Sequence, residues 1–303
     1  MNTLLRRYLL SICHRLHYEA LPDKIFLHIK YYLVMGKKLN LDNPKTFTEK
    51  IQWLKLNNRK VEYTTMVDKF AVKEYVANLI GEQYIIPTIN SWTTTKDIDF
   101  DQLPNKFVLK TNNGGGSSGV VICKNKNDLN IKDAITKLER SLKNNIYTSY
   151  REWPYKNIKP LIFAEQYMED KNNEELTDYK FYCFNGNPTY CQVITNRKRG
   201  ETIDFYDMNW QHMPFYGLNP KCRQAIKLTE KPVALPKMIE IAKILSQNIP
   251  FVRIDLYYIN GKVYFGEITF FPASGMGVFT PNIWNIRLGE MINLPRINTT
   301  TLL

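Results

Sequence analysis

Apolar residues recur at helical spacing through the first third of the chain and at alternate positions through most of the rest. Residues 1 to about 60 interleave Leu, Ile and Tyr with Arg, His and Lys at helical period, which predicts amphipathic helices. Breaks fall at Pro22 and at Leu41-Asp42-Asn43-Pro44. Thr46 and Glu49 have the spacing of a capping box and open the next helix. A further amphipathic helix is predicted over 63–80, stopped by Gly81. The period then shortens to two, predicting strands at 84–87, 106–110 and 120–123, with a Gly/Ser loop over 111–119 before the last. A helix follows at 128–145 and a strand at 160–168. Residues 178–184 and 188–194 flank Asn185-Gly186 as a hairpin, and a helix covers 233–247. The predicted class is α+β with largely antiparallel sheet, and no repeat or low-complexity tract interrupts it.

The densest signal lies near the C-terminus, where Phe251 to Ile259 and Lys262 to Thr269 flank Asn260-Gly261. Asn-Gly between two such runs is the strongest short hairpin signal. One run carries Arg253 and Asp255, the other Glu267 and Thr269. A strict two-residue loop pairs Ile259 with Lys262 and puts Asp255 and Glu267 on opposite faces. A three-residue loop with left-handed Gly261 pairs Tyr258 with Lys262 and gathers Arg253, Asp255, Glu267 and Thr269 on one face. The sequence leaves both open. In the second case the two carboxylates form a hard oxygen site suited to Mg²⁺ carrying substrate phosphates.

A glycine-rich loop, Asn112-Asn113-Gly114-Gly115-Gly116-Ser117-Ser118-Gly119, follows the strand that ends in Lys110. Its backbone N–H groups can close around phosphates. Gly114, Gly116 and Gly119 match the dinucleotide-binding spacing, but an apolar strand follows where that fingerprint requires a helix. No Gly-Lys-Ser/Thr follows either, so this is not a Walker loop.

The chain has 303 residues, 44% of them hydrophobic and 13% aromatic, enough for a globular protein of two or three lobes. A net charge of +12 favours an anionic partner: nucleotide, nucleic acid, acidic glycan or membrane surface. The basic residues are scattered and select none of these. Cys13, Cys123, Cys183, Cys191 and Cys222 match no zinc spacing and read as buried free thiols in a reducing cytosol. No run of about 18 apolar residues exists to span a bilayer. The basic N-terminal helix lacks the small-residue cleavage site of a signal peptide and could lie on an anionic membrane.

In order, these features resemble the ATP-grasp ligases, and more closely the TupA-like (teichuronopeptide-type) ATP-grasp family of polysaccharide gene clusters. The resemblance runs from about Leu21 to Pro295. It is carried by Asn43-Pro-Lys-Thr-Phe-Thr-Glu49-Lys-Ile-Gln-Trp53, Asp68-Lys69-Phe-Ala-Val-Lys73-Glu-Tyr-Val76, Phe107-Val-Leu-Lys110, Asp178-Tyr-Lys180-Phe and Phe265-Gly-Glu267-Ile-Thr269. It implies an ATP-grasp fold: two antiparallel-rich α+β lobes clamping ATP, behind a helical N-terminal region. Expected boundaries are 1–60 for that region, 61–105 for a segment preceding the lobes, 106–170 for the first lobe with its glycine flap, and 171–303 for the second.

The resemblance also implies roles. Lys110 binds the α/β-phosphates, and Gly114, Gly115, Gly116, Ser117, Ser118 and Gly119 cover the triphosphate. Glu165 accepts from the adenine amino group, Tyr167 and Met168 line the base, and Asp178 holds the ribose. Lys180 and Arg197 meet phosphate, while Arg253 stabilises charge on the transferred phosphoryl group and the tetrahedral intermediate. Asp255 and Glu267 bind Mg²⁺. Thr269 stands where the family usually has a metal-binding Asn. Trp53, Asp68, Lys69 and Lys73 are candidates for shaping the acceptor site.

The implied reaction is ATP-dependent amide formation through an acylphosphate, joining an amine or amino acid to a uronic-acid-type carboxylate of a bacterial surface polysaccharide. Expected partners are nucleotide and an anionic carboxylate or glycan, with no nucleic acid. The expected place is the cytoplasm, with peripheral contact at the inner membrane face through the N-terminal helix. The alternative is a glycosyltransferase of polysaccharide synthesis, whose acidic diphosphate site would have to come from Asp97-Ile98-Asp99 or Asp99-Phe100-Asp101.

Overall fold

The computed structural model describes residues 21–171, 175–195, 200–219 and 222–296. The N-terminal stretch expected to meet a membrane, including Cys13, and the expected phosphate ligand Arg197 lie outside these residues. Helices α1 (Asp23–Met35), α2 (Phe47–Asn57), α3 (Glu62–Val67) and α4 (Ala71–Ile80) come first. The capping box forms: the Thr46 hydroxyl accepts from the Glu49 amide, and the Glu49 carboxylate accepts from the Thr46 amide at 3.0 Å. The single helix expected over 63–80 is instead two. Asp68 breaks it by turning its carboxylate onto the amides of Phe70 (2.9 Å) and Ala71 (3.0 Å), a local bond that competes with helix propagation.

The first sheet holds β1 (Thr88–Trp92), β2 (Phe107–Thr111), β3 (Val120–Cys123) and β4 (Ile162–Gln166) in the order β1-β4-β2-β3, all antiparallel. The strand expected at 84–87 begins later, at Thr88, because Gly81 is followed by a short 3-10 turn at Glu82–Tyr84. Phe107, Leu109, Ile162 and Ala164 point to a small core closed by α5 (Ile131–Leu142) through Ala134 and Leu138. The opposite face carries Lys110, Phe163 and Glu165, as strand alternation requires. A short helix, α6 (Ile146–Tyr150), follows α5.

The second sheet contains β5 (Asp178–Phe184), β6 (Asn187–Thr195), β7 (Thr202–Asp207), β9 (Phe251–Ile259) and β10 (Lys262–Thr269) in the order β10-β9-β5-β6-β7. A two-stranded ribbon pairs β8 (Tyr216–Gly217) with β11 (Phe279–Thr280). Helix α7 (Leu235–Leu245) buries Leu235, Met238, Ile241, Ala242 and Leu245. Helix α8 (Ile283–Glu290) completes the described chain. One large apolar cluster runs from α1–α4 through this sheet to α7 and α8. Phe47 of α2 meets Phe251 of β9 edge-on at 4.9 Å, and such a pair adds about 0.5–1.5 kcal/mol beyond its buried area. Cys123, Cys183, Cys191 and Cys222 are free and buried. Among the described residues no helix is long and apolar enough to cross a membrane.

Candidate active site

The β9–β10 hairpin closes through a two-residue turn with left-handed Asn260 (φ 49°) and Gly261 (φ 83°), pairing Ile259 with Lys262. That register alone would separate the two carboxylates. A bulge between Phe265 and Glu267 restores them to one face, so that Glu267 pairs with Asp255 and Thr269 with Arg253. The extra residue is Gly266, where a Cβ would stand 3.0 Å from the Asp255 carbonyl oxygen and 3.0 Å from the Tyr257 ring. A side chain there would have to push these neighbours aside, so the close approach favours glycine.

Strand β5 extends the same face, with Lys180 opposite Asp255 and Asp178 opposite Tyr257. Charges alternate across it. Arg253 donates through Nε to Asp255 Oδ1 (2.6 Å) and through Nη2 to Asp255 Oδ2 (2.8 Å), Glu267 Oε1 (2.9 Å) and Thr269 Oγ1 (3.1 Å). Lys180 pairs with Asp255 and lies 3.8 Å from Asp178. Asp255 is 1% exposed, so this row is held by charge-assisted bonds. Burial pushes the Glu267 carboxyl up, but Lys69, Arg253 and Lys180 outweigh it and hold it well below the usual range. Burial also pulls the Arg253 guanidinium down; Asp255 and Glu267 more than reverse this.

The first sheet contributes Lys110 and Glu165. Glu165, 3% exposed, pairs with Lys110 through one oxygen and with Lys73 through the other at 2.7 Å. Burial raises its carboxyl; Lys110 and Lys73 together bring it below the ordinary value. Lys73 comes from α4, where it also donates to the Ile86 carbonyl and Thr88 hydroxyl at 2.9 Å each. Phe70 of the preceding elbow packs on Phe163 at 5.7 Å.

The glycine flap spans the β2–β3 connection. Gly119 and Gly114 sit against the Thr111 and Ser141 hydroxyls, which bond each other at 2.7 Å. Gly116 is left-handed (φ 59°) with open space around it. Ser118 donates to the Gly115 carbonyl at 2.9 Å. Beside Asn113, which precedes the flap, lies a cavity of about 200 Å³ bordered also by Ile146, Tyr155 and Ile158. Tyr167 and Met168 are half-buried at the exit of β4. Past them, Asn260 of the hairpin turn donates to the Glu169 carbonyl at 2.7 Å and accepts from the Lys171 amide at 3.0 Å.

Several site residues were not legible from local pattern. Lys69 lies between the flap and β10, 2.5 Å from the Gly114 carbonyl oxygen and 3.6 Å from Glu267 Oε2. Lys55 of α2, 1% exposed, donates to the Tyr150 carbonyl (3.0 Å) and to the Ser274 carbonyl (2.9 Å) and hydroxyl (2.8 Å). Gln52 grips the Ser274 and Gly275 carbonyls at 2.9 Å each. These bonds hold Ala273 (φ 47°) and Ser274 (φ 54°) left-handed just past β10, a conformation that persists only where its surroundings dictate it. Buried Glu152 bonds Ser274 in the same cluster; burial raises its carboxyl although Lys55 opposes this. Lys55 itself is lowered to about 8 by burial.

Asp255 and Glu267 are hard donors on one face and fit a divalent cation that completes its shell with phosphate oxygens. Among the described residues no group of three or more His, Cys, Asp or Glu stands ready to hold a metal; Asp255 and Glu267 are the two carboxylates paired across this hairpin. Asp97 and Asp99 instead close turns, accepting from Thr94 Oγ1 (2.9 Å) and from the Asp101 amide (2.9 Å), and all three acids are exposed.

The TupA-like ATPgrasp family profile matches residues 49–293, which includes both sheets, the flap and the charged hairpin. The chain belongs to the TupA-like ATP-grasp family. Members of the ATP-grasp family are ATP-dependent ligases, and so is this chain. Solved structures with a similar chain course include D-alanine–D-alanine ligase from Helicobacter pylori, at 15% identity, covering 82% of this chain and 70% of that one, with a TM-score of 0.40. The Coxiella burnetii D-alanine–D-alanine ligase is 12% identical over 80% of this chain and 59% of its own, with a TM-score of 0.41. N5-carboxyaminoimidazole synthase from Aspergillus clavatus, complexed with ADP and 5-aminoimidazole ribonucleotide, is 12% identical over 68% of this chain and 44% of its own, with a TM-score of 0.38. The family assignment does not rest on these similarities. No curated protein matches the chain in sequence.

Proposed function

We propose that this TupA-like ATP-grasp protein activates a carboxylate with ATP to an acylphosphate and passes the acyl group to an amine. The acceptor in this reading is a uronic-acid-type carboxylate of a bacterial surface polysaccharide, and the amine an amino acid or related compound. The supporting observation is the alternating row Glu267–Arg253–Asp255–Lys180, joined through Lys69 to the glycine flap of the sheet that carries the Lys110–Glu165 pair. A carboxylate is a poor electrophile because its charge repels an amine and oxide is a poor leaving group. Phosphorylation removes both obstacles, and the site must then hold concentrated negative charge away from water.

In this reading Lys110 leaves Glu165 for the α/β-phosphates when nucleotide enters. Residues 114–119 close over the triphosphate, and Glu165 takes the adenine amino group beside Tyr167 and Met168. Asp178 holds the ribose. Lys180 and Arg197 meet phosphate. Arg253 sits where charge develops on the transferred group and on the tetrahedral intermediate, and preorganised charge there lowers the barrier. Asp255 and Glu267, with Thr269 orienting Glu267, would hold Mg²⁺, which when bound neutralises charge on the β- and γ-phosphate oxygens.

Thermal shift with Mg-ATP and with UDP-sugars tests the nucleotide, and acceptor-dependent ADP release across a panel of uronic acids tests the reaction. Stabilisation by ATP and ADP release with a carboxylate are expected. Release of UDP from a UDP-sugar without ATP binding would overturn the reading in favour of a glycosyltransferase.

A further inference from the structure

Asn112 and Asn113 follow β2 directly and lead into the flap. Fully buried Asn112 ties this point to the segment before β4. Its Nδ2 donates to the Lys159 carbonyl at 3.0 Å, and its Oδ1 accepts from the Leu161 amide at 2.8 Å. Asn113, also buried, ties it to the chain leaving α5. Its Nδ2 donates to the Leu142 carbonyl at 3.3 Å and to the Asn144 carbonyl at 2.9 Å. A flipped amide would set its oxygen against two carbonyl oxygens, so these bonds fix which end is which. Asn113 Oδ1 is then left buried with no hydrogen-bond partner among the described residues. A buried acceptor in that state costs stability unless something supplies it with a donor.

The same asparagine borders the cavity of about 200 Å³. The two asparagine ties fix the walls on either side of it, as a largely preformed binding site requires. Leu142, Ile146, Ile158 and Pro160 make those walls apolar, and Tyr155 stands among them. The cavity adjoins the charged row. Burial pushes the Tyr155 phenol well above its usual value, and the Glu152 and Glu267 carboxylates add to this while Arg253 opposes it. It adjoins the flap as well, since a Cβ on Gly115 would stand 3.2 Å from Ile146 Cδ1. Gly114, the residue after Asn113, carries the carbonyl that accepts from Lys69, whose ammonium lies 3.6 Å from Glu267. At about 30 Å³ for each water-sized group, the cavity has room for roughly seven, the scale of a small amino acid.

We propose that this cavity is the subsite for the amine substrate, an amino acid with an aliphatic side chain, whose nitrogen donates to Asn113 Oδ1. The proposal rests on the ligase reading above. The chemistry of the walls selects the amine over the other substrate. A lone buried acceptor calls for an N–H or O–H. The carboxylate that is to be phosphorylated carries no proton and would set oxygen against oxygen. Sugar hydroxyls also donate, but a sugar ring carries several, and apolar walls leave most of them unpaired at a cost. An aliphatic side chain gains from the same walls. A nitrogen held by Asn113 lies one residue from the flap glycine that Lys69 links to Glu267, so the amine enters from the flap side of the charged row.

The competing role is a void that only water enters. Isoleucine δ1-methyl NMR on the full chain with Mg-ADP separates the two, because Ile146 and Ile158 border the cavity and Ile146→Val and Ile158→Val assign their signals. The L and D forms of alanine, valine and leucine are titrated, with glucuronate as the carboxylate control. At least one amino acid should move both methyl signals saturably, and glucuronate neither. The best-bound amino acid should lose about 10-fold or more in affinity when replaced by the matching carboxylic acid without nitrogen. Ile158→Phe, which fills the cavity, should weaken amino-acid binding about 10-fold or more while the ADP dissociation constant changes by less than about 2-fold. Ile158→Ala, which enlarges it, should shift preference towards longer side chains by about 10-fold. No shift with any of these amino acids, an equal shift with glucuronate, or equal affinity for the nitrogen-free acid overturns the proposal. So do Ile158→Phe and Ile158→Ala if affinity and preference both stay unchanged. Those failures leave the ligase reading standing, whereas a wild-type chain that binds neither ADP nor ATP overturns that reading and this inference with it.

Discussion

Glu267 faces Asp255 directly across β9 and β10 because Gly266 is left out of the pairing. The Asn260-Gly261 turn sets one register, and one extra residue four positions beyond Lys262 reverses its consequence for every side chain after it. The charged face of this sheet depends on that single bulge.

Gly266→Val should disfavour the bulge, since its Cβ would crowd the Asp255 carbonyl. Strict pairing would then set residue 266 opposite Asp255 and turn Glu267 and Thr269 to the other face, and ATP turnover is expected to fall while far-UV circular dichroism stays native-like. Deleting Gly266 removes the extra residue and keeps Glu267 opposite Asp255, so the deletion should be the milder change of the two. Full turnover by Gly266→Val would show that Glu267 does not depend on this bulge.

Asp255→Asn and Glu267→Gln keep side-chain volume and remove one charge each. Both should abolish turnover of Mg-ATP, by about 100-fold or more if a transition-state contact worth about 3 kcal/mol is lost. Near-normal turnover by either variant would place the metal elsewhere. The Arg253 partner would be left partly unpaired, so a melting temperature a few degrees lower is also expected.

The Lys110–Glu165–Lys73 cluster makes a prediction with a sign. The Glu165 carboxyl is held below its ordinary value of 4.5, so the folded chain binds that proton less readily than the unfolded one. Its contribution to stability is present above about pH 4.5 and is lost as pH falls through the lowered folded value. Glu165→Gln should lower stability at pH 7 by about 1–3 kcal/mol, the cost of leaving buried charges unpartnered. The loss should shrink towards pH 3, which denaturant titration at both pH values would measure. Lys110→Ala should weaken ATP binding about 10- to 100-fold, and unchanged affinity would remove Lys110 from the nucleotide site.

Lys55 holds the left-handed turn at Ala273-Ser274 from a helix far upstream. Lys55→Met should destabilise the fold by about 3–5 kcal/mol, because Glu152 is left buried without its cation. The double variant Lys55→Met/Glu152→Gln should recover part of that loss. A double variant no more stable than the single one would show that the two charges are not coupled.

The sequence carried the parts of the fold that rest on short-range rules. The Thr46–Glu49 cap, both Asn-Gly hairpins and the glycine flap lie where turn chemistry and period-two alternation put them. Gly266 was visible only as a glycine in a strand, which marks a bulge or a close approach without saying which way register shifts. Asp68 carried no glycine or proline to flag the break in its helix, and the cap it forms depends on rotating one carboxylate. Lys73 and Lys55 sit on polar positions of ordinary amphipathic helices and Lys69 in the turn between two of them, and only the family resemblance drew attention to Lys69 and Lys73. What singles them out is contact with Glu267, Glu165 and Ser274, which are distant in sequence. No periodicity encodes such long-range ion pairs.

The central claim is that a carboxylate oxygen takes the γ-phosphoryl group. An acceptor found in the uronic-acid panel and labelled with ¹⁸O in its carboxylate tests this directly. Turnover with Mg-ATP and amine, or with hydroxylamine in its place, should release inorganic phosphate carrying one carboxylate ¹⁸O per amide or hydroxamate formed, read by mass spectrometry. Product formed with unlabelled phosphate would contradict an acylphosphate and the function built on it.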